Sequence, residues 1–324
     1  MNLKGIHHIS AITAHAQNNY YFYTHILGMN LVKKTVNQDD WSIYHLFYAD
    51  KTGKPGTDLT FFEIPFAAQT VQGVNSISRT SLRVKNDVAL DFWLKRFKQY
   101  DVPHKSILNE ANRKIVYFTD FEHQQLALIS DKPNSWIGQG EPIEHPEIPI
   151  DYAIIGLGPV TLTVKDAEPT VNFLTQILQF TEGEKYVANG QTIRVFSVIE
   201  DGTSAEVIHL KTRTDLPVAR QGRGSIHHVA FRVEDGTILK KWVNRLLKYR
   251  IPNSGVIDRY YFKALYFHEP NGILFELSTD GPGFTIDENI TELGESLALP
   301  PHLESRREAI ESKLKPLNTK RTRY

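Results

Sequence analysis

The tetrapeptide Ile6-His7-His8-Ile9 near the N-terminus returns as Ile226-His227-His228-Val229 in the last third of the chain. Each copy opens an apolar stretch that predicts a β-strand, followed by a helical pattern and then by further strands. The same succession occurs at two more places, which open with Ser78-Arg79-Thr80-Ser81 and Gly158-Pro159-Val160-Thr161 and carry no histidine. The repetition predicts four related units, of which two kept the doublet.

The four units predict an α+β protein with antiparallel or mixed sheets, because each unit has one helix among mostly short strands. The helices are expected at 17–27, 88–100, 170–178 and 236–249. The strands are expected near 5–12, 31–36, 42–48, 58–64, 80–84, 114–119, 126–129, 156–164, 192–198, 205–209, 225–233, 259–267 and 273–277. Gly28 follows the first helix directly, where a left-handed residue usually ends one.

A polar stretch rich in Pro and Gly, 131–149, interrupts the pattern between the second and third units and indicates a connection. We therefore expect an N-terminal domain of two units at 1–133, a linker at 134–155, a C-terminal domain of two units at 156–283 and an extension at 284–324. Acidic residues alternate with basic ones in the extension, which is typical of a surface helix with a frayed end.

The composition narrows the partner to a small molecule. The 324 residues include 37 basic and 37 acidic side chains, so no net charge attracts nucleic acid or an anionic membrane. We find neither an apolar run long enough to span a membrane nor a secretory signal, and expect a cytoplasmic protein; homo-oligomer formation stays open. The absence of cysteine excludes thiolate metal sites and thiol nucleophiles, so a metal must be bound by His, Asp, Glu or backbone oxygen.

Strand alternation selects three candidate metal ligands. Adjacent residues point to opposite faces of a sheet, so one histidine of each doublet can reach a common site. His7 and His227 share their faces with apolar residues, which leaves His8 and His228 for a polar cavity. Glu276 stands alone in an apolar strand, where a charge is costly unless it is paired or coordinated. Two imidazoles and one carboxylate with open positions form the ligand set of non-haem Fe(II) oxygenases.

The two doublets, Phe275-Glu276-Leu277 and the stretches Tyr44-His45-Leu46-Phe47-Tyr48-Ala49-Asp50 and Gly53-Lys54-Pro55-Gly56-Thr57 resemble the vicinal oxygen chelate superfamily of glyoxalases and extradiol dioxygenases. Within that superfamily, the chain is most similar to the ring-cleaving hydroquinone dioxygenases. The resemblance extends to about Phe284. It implies four βαβββ units in two tandem modules that form cup-shaped mixed sheets.

The resemblance also implies an activity and roles for particular residues. The expected activity is an extradiol-type, Fe(II)-dependent cleavage of a hydroquinone with insertion of both atoms of O2, and Mn(II) is an alternative metal. The small aromatic substrate and O2 are then the partners. The implied roles are metal binding by His8, His228 and Glu276, catalysis by His7, His227, Arg259 and Tyr266, and substrate binding by Ser10, Arg259 and Tyr266.

The roles of two pairs of residues conflict with regular strands. Alternation turns His7 and His227 away from the metal, and a β-bulge would reconcile the two interpretations. Arg259 and Tyr266 are seven residues apart, so on one regular strand they face oppositely.

Two alternatives remain open. Glu63 holds roughly the place in the first unit that Glu276 holds in the fourth, and as a fourth ligand it would indicate a glyoxalase-like isomerase or lyase. We favour the interpretation that Glu63 is a strand-end residue in solvent. A non-catalytic protein that binds an aromatic ligand in the same cup is the other alternative, although it needs no metal.

Overall fold

The computed structural model describes residues 2–131, 140–200 and 203–320 and confirms the α+β class. The strands are β1 Ile6–Thr13, β2 Asn30–Val36, β3 Tyr44–Ala49, β4 Asp58–Glu63, β5 Ser76–Val84, β6 Leu108–Glu110, β7 Arg113–Thr119, β8 Gln125–Ser130, β9 Ile154–Val164, β10 Thr181–Glu182, β11 Tyr186–Ala188, β12 Gln191–Glu200, β13 Thr203–Thr212, β14 Ile226–Val233, β15 Ile257–Asp258, β16 Lys263–His268 and β17 Leu274–Thr279. The helices are α1 Ala16–Tyr20, α2 Asp87–Gln99, α3 Ala167–Asn172, α4 Gly236–Lys248, α5 Pro301–Glu304 and α6 Arg307–Glu311.

The predicted helices are present, and local chemistry explains their ends. Asn86 and Asp235 accept hydrogen bonds from the first backbone amides of α2 and α4, which stabilises both N-termini. The helices α1 and α3 continue as single π-helical stretches, Tyr21–Ile26 and Phe173–Ile177. Gly28 has a φ of +70°, so the left-handed end predicted for the first helix is confirmed.

The described strands form two mixed sheets, and each sheet joins one unit from the first half of the chain to one unit from the second half. One sheet has the order β15-β16-β17-β14-β1-β4-β3-β2 and contains the first and fourth units. The other has the order β10-β12-β13-β9-β5-β8-β7-β6, with β11 paired to β12, and contains the second and third units. The units meet at central antiparallel pairs, β1 with β14 and β5 with β9. We call the first of these the doublet sheet, because it contains both histidine doublets.

Each sheet thus takes one unit from either half of the chain. The division into 1–133, 134–155, 156–283 and 284–324 therefore stays a prediction about the sequence. Residues 134–139 of the expected linker and 321–324 of the expected frayed end lie outside the described ranges. No helix in the described part of the chain is both long and apolar enough to cross a membrane.

The hydrophobic core determines which face of the central strands is left for a site. Ile9 of β1 and Val229 and Phe231 of β14 are fully buried in one continuous core, together with Trp93 of α2 and Trp242 of α4. Alternate residues of the same strands lie on the opposite face. The helices therefore cover one face of these strands, and the other face is available for polar side chains.

The C-terminal extension packs along β2, the edge strand of the doublet sheet. The amide of Ala298 donates to the carbonyl of Lys34, and Leu299, Leu303 and Ile310 pack against Val36. This contact covers strand-edge groups that would otherwise be open to pairing with another chain.

Lys33 anchors the start of this extension. Its side chain is fully buried, and its ammonium group forms ion pairs with Asp287 at 2.6 Å and with Glu288. Removal of one partner from a buried ion pair leaves the other charges without compensation.

We expect Lys33→Met to lower the free energy of unfolding by about 3 kcal/mol, because two carboxylates lose their buried counter-charge. Urea denaturation measures the change. Lys240→Met on the exposed face of α4 is the control and should leave stability within about 0.5 kcal/mol. Equal stability of the two variants would show that Lys33 does not anchor the extension.

Candidate metal centre

Three side chains from neighbouring strands of the doublet sheet meet at one point. His8 lies on β1, His228 on β14 and Glu276 on β17. The Nε2 atoms of the two imidazoles are 3.3 Å apart, and Glu276 Oε2 lies 3.3 Å from His8 Nε2 and 2.8 Å from His228 Nε2. All three residues are buried. The structure thus brings together the side chains that strand alternation assigned to one cavity.

Two β-bulges bring the first histidine of each doublet beside the second. Ile6 pairs with Phe231 and His8 with Ala230, so His7 is the extra residue on β1. A bulge interrupts strict alternation and redirects a side chain. His7 Nδ1 accordingly lies 2.9 Å from His8 Nδ1.

The bulge on β14 is the counterpart. Ser10 pairs with His228 and Ala11 with Ile226, so His227 is the extra residue. Its Nδ1 lies 2.8 Å from His228 Nδ1, and its side chain lines the cavity at the centre. Bulges of the kind that would reconcile strand alternation with the implied roles of His7 and His227 are therefore present at both positions.

Hydrogen bonds determine which ring nitrogens carry protons in the first doublet. The Thr279 carbonyl can only accept, so His7 Nε2, 3.1 Å away, carries a proton. Burial and the adjacent His8 lower the pKa of His7 to about 3, so its ring is neutral and its Nδ1 is an acceptor. His8 Nδ1 must then donate to it. With Nδ1 bound to His7, His8 would coordinate a metal through Nε2, which faces Glu276 and His228.

A carboxylate oxygen of Glu276 faces the Nε2 atoms of both His8 and His228. Burial alone would raise the pKa of Glu276, but His8 and His228 outweigh it and hold this pKa well below its usual range. Its Oε1 accepts a hydrogen bond from Ser278 at 2.6 Å, whereas its buried Oε2 faces the two imidazole nitrogens. Lone pairs this close repel one another unless a proton or a metal cation lies between them. The cluster fits a divalent cation held by two histidines and one carboxylate.

Ser10 and His45 belong to a hydrogen-bonded group beside this cluster. Ser10 Oγ lies 2.8 Å from Thr60 Oγ1, which lies 3.0 Å from His45 Nε2. The His45 ring packs between Phe47 and Phe62, with centroid distances of 4.0 and 4.1 Å. Burial, and then His8 and His228, lower the pKa of His45 well below its usual value, so the ring is neutral.

Sequence reasoning used His45 only as part of a family resemblance and missed its place in the cavity. A signal was available, since Tyr44, Leu46 and Tyr48 alternate with it on β3 and pack in the core. The same alternation that selected His8 therefore also placed His45 on the cavity side.

Arg259 and Tyr266 lie side by side, although they are seven residues apart. The predicted strand at 259–267 begins only at Lys263, and a turn with Tyr260 at a φ of +69° precedes it. Arg259 Nε donates to the Tyr266 hydroxyl at 3.3 Å, and its two terminal nitrogens bind Asp39 at 3.0 and 2.7 Å. The turn explains why the expectation from a regular strand is wrong.

Asp39 keeps the guanidinium charged. Burial acts against the charge of Arg259, but Asp39 and Tyr266 outweigh it and raise the pKa of this group. Burial, and then Glu276, raise the pKa of Tyr266, so its hydroxyl keeps its proton. The pair presents one fixed positive charge and one neutral donor to the cavity.

Glu63 does not join the cluster, and it does not lie in solvent either. It is buried, and its Oε1 accepts a hydrogen bond from the amide of Ala16 at the start of α1. In the strand register, Ala230 pairs with Glu276 as Ser10 pairs with Thr60, so Thr60 holds the place in the first unit that Glu276 holds in the fourth. Glu63 is thus the last residue of its strand, as expected, but it is buried and lies outside the cluster. Its place could not be predicted, because the pairing register could not be derived from spacing.

The cluster lies in a cavity of about 380 Å³, a size typical of small-molecule sites. Its walls are largely aromatic, and its polar groups converge on the cluster. The ring-bearing wall residues are His45, Phe47, Phe62, His227, Tyr261, Phe262 and Tyr266. A cavity of this size with aromatic walls is typical of sites for small aromatic ligands.

Comparison with known proteins agrees with this geometry. A family model described as "Glyoxalase/Bleomycin resistance protein/Dioxygenase superfamily" matches residues 5–123 and 156–277. The chain is 52% identical to "Putative ring-cleaving dioxygenase MhqA" of Bacillus subtilis (strain 168), over 98% of this chain and 100% of that protein. It is 29% identical to "Chlorohydroquinone/hydroquinone 1,2-dioxygenase" of Sphingobium indicum, over 93% of each chain.

Solved structures share the fold. A crystal structure described as a putative dioxygenase from Bacillus subtilis superposes with a TM-score of 0.89 at 33% identity and covers 99% of both chains. Glyoxalase I of Zea mays superposes with a TM-score of 0.59 at 15% identity, over 85% of this chain and 92% of that one. The second likeness concerns the fold alone.

We expect Glu276→Gln to weaken binding of Fe(II) or Mn(II) at least 100-fold, because the neutral amide removes the anionic ligand. Anaerobic calorimetric titration measures the affinity. Glu63→Gln is the matched control and should bind metal like the unmodified protein, since Glu63 lies outside the cluster. Equal losses in both variants would support a four-ligand site after all.

His7 should act on the metal through His8. We expect His7→Phe to weaken metal binding about 10- to 100-fold, because His8 Nδ1–H loses its acceptor and the ring its fixed orientation. His7→Asn restores an acceptor and should recover most of the affinity in the same titration. If both variants bound equally weakly, the effect would come from packing and not from the hydrogen bond.

Proposed function

The chain belongs to the glyoxalase/bleomycin resistance protein/dioxygenase superfamily, and from this premise we propose that it is a ring-cleaving dioxygenase of hydroquinone-type aromatic diols. The proposed metal is Fe(II), with Mn(II) as an alternative. One observation carries the proposal: two imidazole lone pairs and a carboxylate oxygen converge within the aromatic-walled cavity. The names of the relatives, which include a hydroquinone 1,2-dioxygenase, support the same substrate class.

The three proposed ligands suit the chemistry. His8, His228 and Glu276 would hold the ion and leave further coordination positions open. Bound there, Fe(II) would supply the Lewis acidity and one-electron redox capacity that a reaction of an aromatic ring with dioxygen needs. Redox-inert zinc would supply only the former.

Arg259 would orient and neutralise the substrate. A hydroquinone binds best here as the phenolate, and the guanidinium, held in place by Asp39, is the nearest fixed positive charge on the cavity wall. Tyr266 keeps its proton and would donate a hydrogen bond to a substrate oxygen. Aromatic contacts of Phe62 and Phe262 would hold the ring flat and exclude water from it.

A proton must leave the substrate hydroxyl, and neutral imidazoles line its path. Burial and His228 lower the pKa of His227 to about 4, so the ring is free to accept a proton at neutral pH. Ser10 would hold a substrate oxygen through its hydroxyl, which is also hydrogen-bonded to the hydroxyl of Thr60. His7 would act one step away, through the orientation of His8. These roles are our assignment for this chain.

The site of ring opening is the finer part of the proposal. We propose extradiol-type cleavage, between a hydroxyl-bearing carbon and its neighbour without the second hydroxyl. A hydroquinone has its hydroxyls on opposite carbons, so cleavage at C1–C2 necessarily has this form. No specific observation favours the glyoxalase-like or the purely ligand-binding alternative.

We expect the protein, reconstituted with Fe(II) under anoxia, to consume one O2 per hydroquinone opened when oxygen is admitted. An oxygen electrode and mass spectrometry of the product measure this across a panel of hydroquinones and catechols. The use of ¹⁸O2 should place both labelled atoms in the product, and Glu276→Gln should abolish turnover.

Two outcomes would contradict the proposal and separate its rivals. Conversion of substrate without oxygen would favour proton-transfer chemistry of the glyoxalase type. Tight binding of hydroquinones with no oxygen uptake by the metal-loaded protein would favour a ligand-binding role.

A further inference from the structure

The sheet formed by the second and third units bounds a cavity of its own, which we call the second cup. Its volume is about 320 Å³, close to that of the cavity at the metal centre. Among the described residues, the His, Asp and Glu side chains that could together hold a metal are His8, His228 and Glu276, and none of these lines the second cup. We call the cavity at the metal centre the first cup. A ligand of the second cup must therefore differ from the metal expected in the first cup.

Positive charge dominates the second cup. Its walls include Arg79, Arg113, Lys211 and Arg213. Glu206 forms an ion pair with Arg113, and Asp215, outside the cup, pairs with Arg213. No acidic side chain that the structure describes lies within 4 Å of either Arg79 or Lys211, so these two charges remain without an ionic partner.

Two further observations show that Arg79 and Lys211 are held at a cost. Arg79 Nε is buried and has no hydrogen-bond partner among the described residues. Burial, and then Arg79 and Arg213, lower the pKa of Lys211 to about 8. A bound anion would accept a hydrogen bond from Arg79 Nε and reduce the repulsion between Lys211 and the two neighbouring arginines.

We propose that the second cup binds a small planar organic monoanion, a carboxylate on a flat body, between Arg79 and Lys211. The charge count selects a monoanion over a dianion such as phosphate. The remaining carboxylate in the cup, Glu110, accepts a hydrogen bond from Tyr117 and offsets one of the two unpaired cations. One positive charge is left for the ligand.

The walls select a flat ligand. The guanidinium carbon of Arg79 lies 4.0 Å from the centre of the Tyr117 ring, so these two planar groups stack on each other in the wall of the cup. Tyr186 lines the cup as well, and its hydroxyl lies 3.0 Å from His209 Nδ1. The hydroxyls of Ser81 and Thr161 supply further polar contacts. This site is independent of the activity proposed for the first cup.

Calorimetric titration of the full chain with benzoate tests the proposal, with benzamide as the neutral probe of the same shape. We expect benzoate to bind at millimolar or lower concentration and at least tenfold more tightly than benzamide or inorganic phosphate. Lys211→Met and Arg79→Met should each weaken benzoate binding at least tenfold. Lys211→Arg should retain it, and Lys240→Met is the surface control. Thermal melting of each variant verifies that it is folded.

Glu276→Gln and Arg259→Met distinguish the two cups. Benzoate binding that survives both substitutions and is lost in Lys211→Met supports the second cup. Binding that is lost in Arg259→Met and retained in Lys211→Met places benzoate in the first cup and overturns the proposal. Equal affinity for benzoate and benzamide, or no benzoate binding by the unmodified protein, overturns it as well.

Discussion

The burial of one carboxylate against two imidazole lone pairs is the constraint on which the rest of this structure depends. A charge like that of Glu276, fully buried, is costly unless it is paired or coordinated. Its Oε2 faces the Nε2 atoms of His8 and His228 across 3.3 and 2.8 Å. A metal cation between the three atoms would satisfy all of them at once. The strands that carry these side chains must then stay in register to within a fraction of an ångström.

The pairing of the first unit with the fourth meets this requirement. β1 and β14 are central, antiparallel and hydrogen-bonded to each other, so the two doublets lie on adjacent strands. The bulges at His7 and His227 add a support that a regular strand lacks. Each places a second imidazole against the first, and on the β1 side the bond to Thr279 extends this support to the end of β17. A feature that resembles a local defect in the ladder thus sets the tautomer of His8.

Features that depend on local periodicity could be predicted from the sequence, whereas features that depend on the pairing register of the strands could not. Alternation within single strands was enough to predict that His8, His228 and Glu276 share one cavity. The repeat was enough to predict the four units and the α+β class. The bulges at His7 and His227 arise only when β1 pairs with β14, and no spacing within either strand encodes that pairing. The same reason explains Glu63, whose place is taken by Thr60 once β1 and β4 are aligned. The place of His45, by contrast, follows from periodicity, because it alternates with core residues of β3.

The two cups show that the fold does not choose the chemistry. In the doublet sheet, β17 lies parallel to β14 and carries Glu276; in the other sheet, β13 lies parallel to β9 and carries Lys211. The corresponding strand thus carries an anion in one cup and a cation in the other, although the register puts His209, and not Lys211, at the place of Glu276. A half-buried lysine without an ionic partner lowers stability, and an apolar residue at that position would avoid the loss. Its presence, next to Arg79 and between aromatic walls, is explained by a ligand of opposite charge.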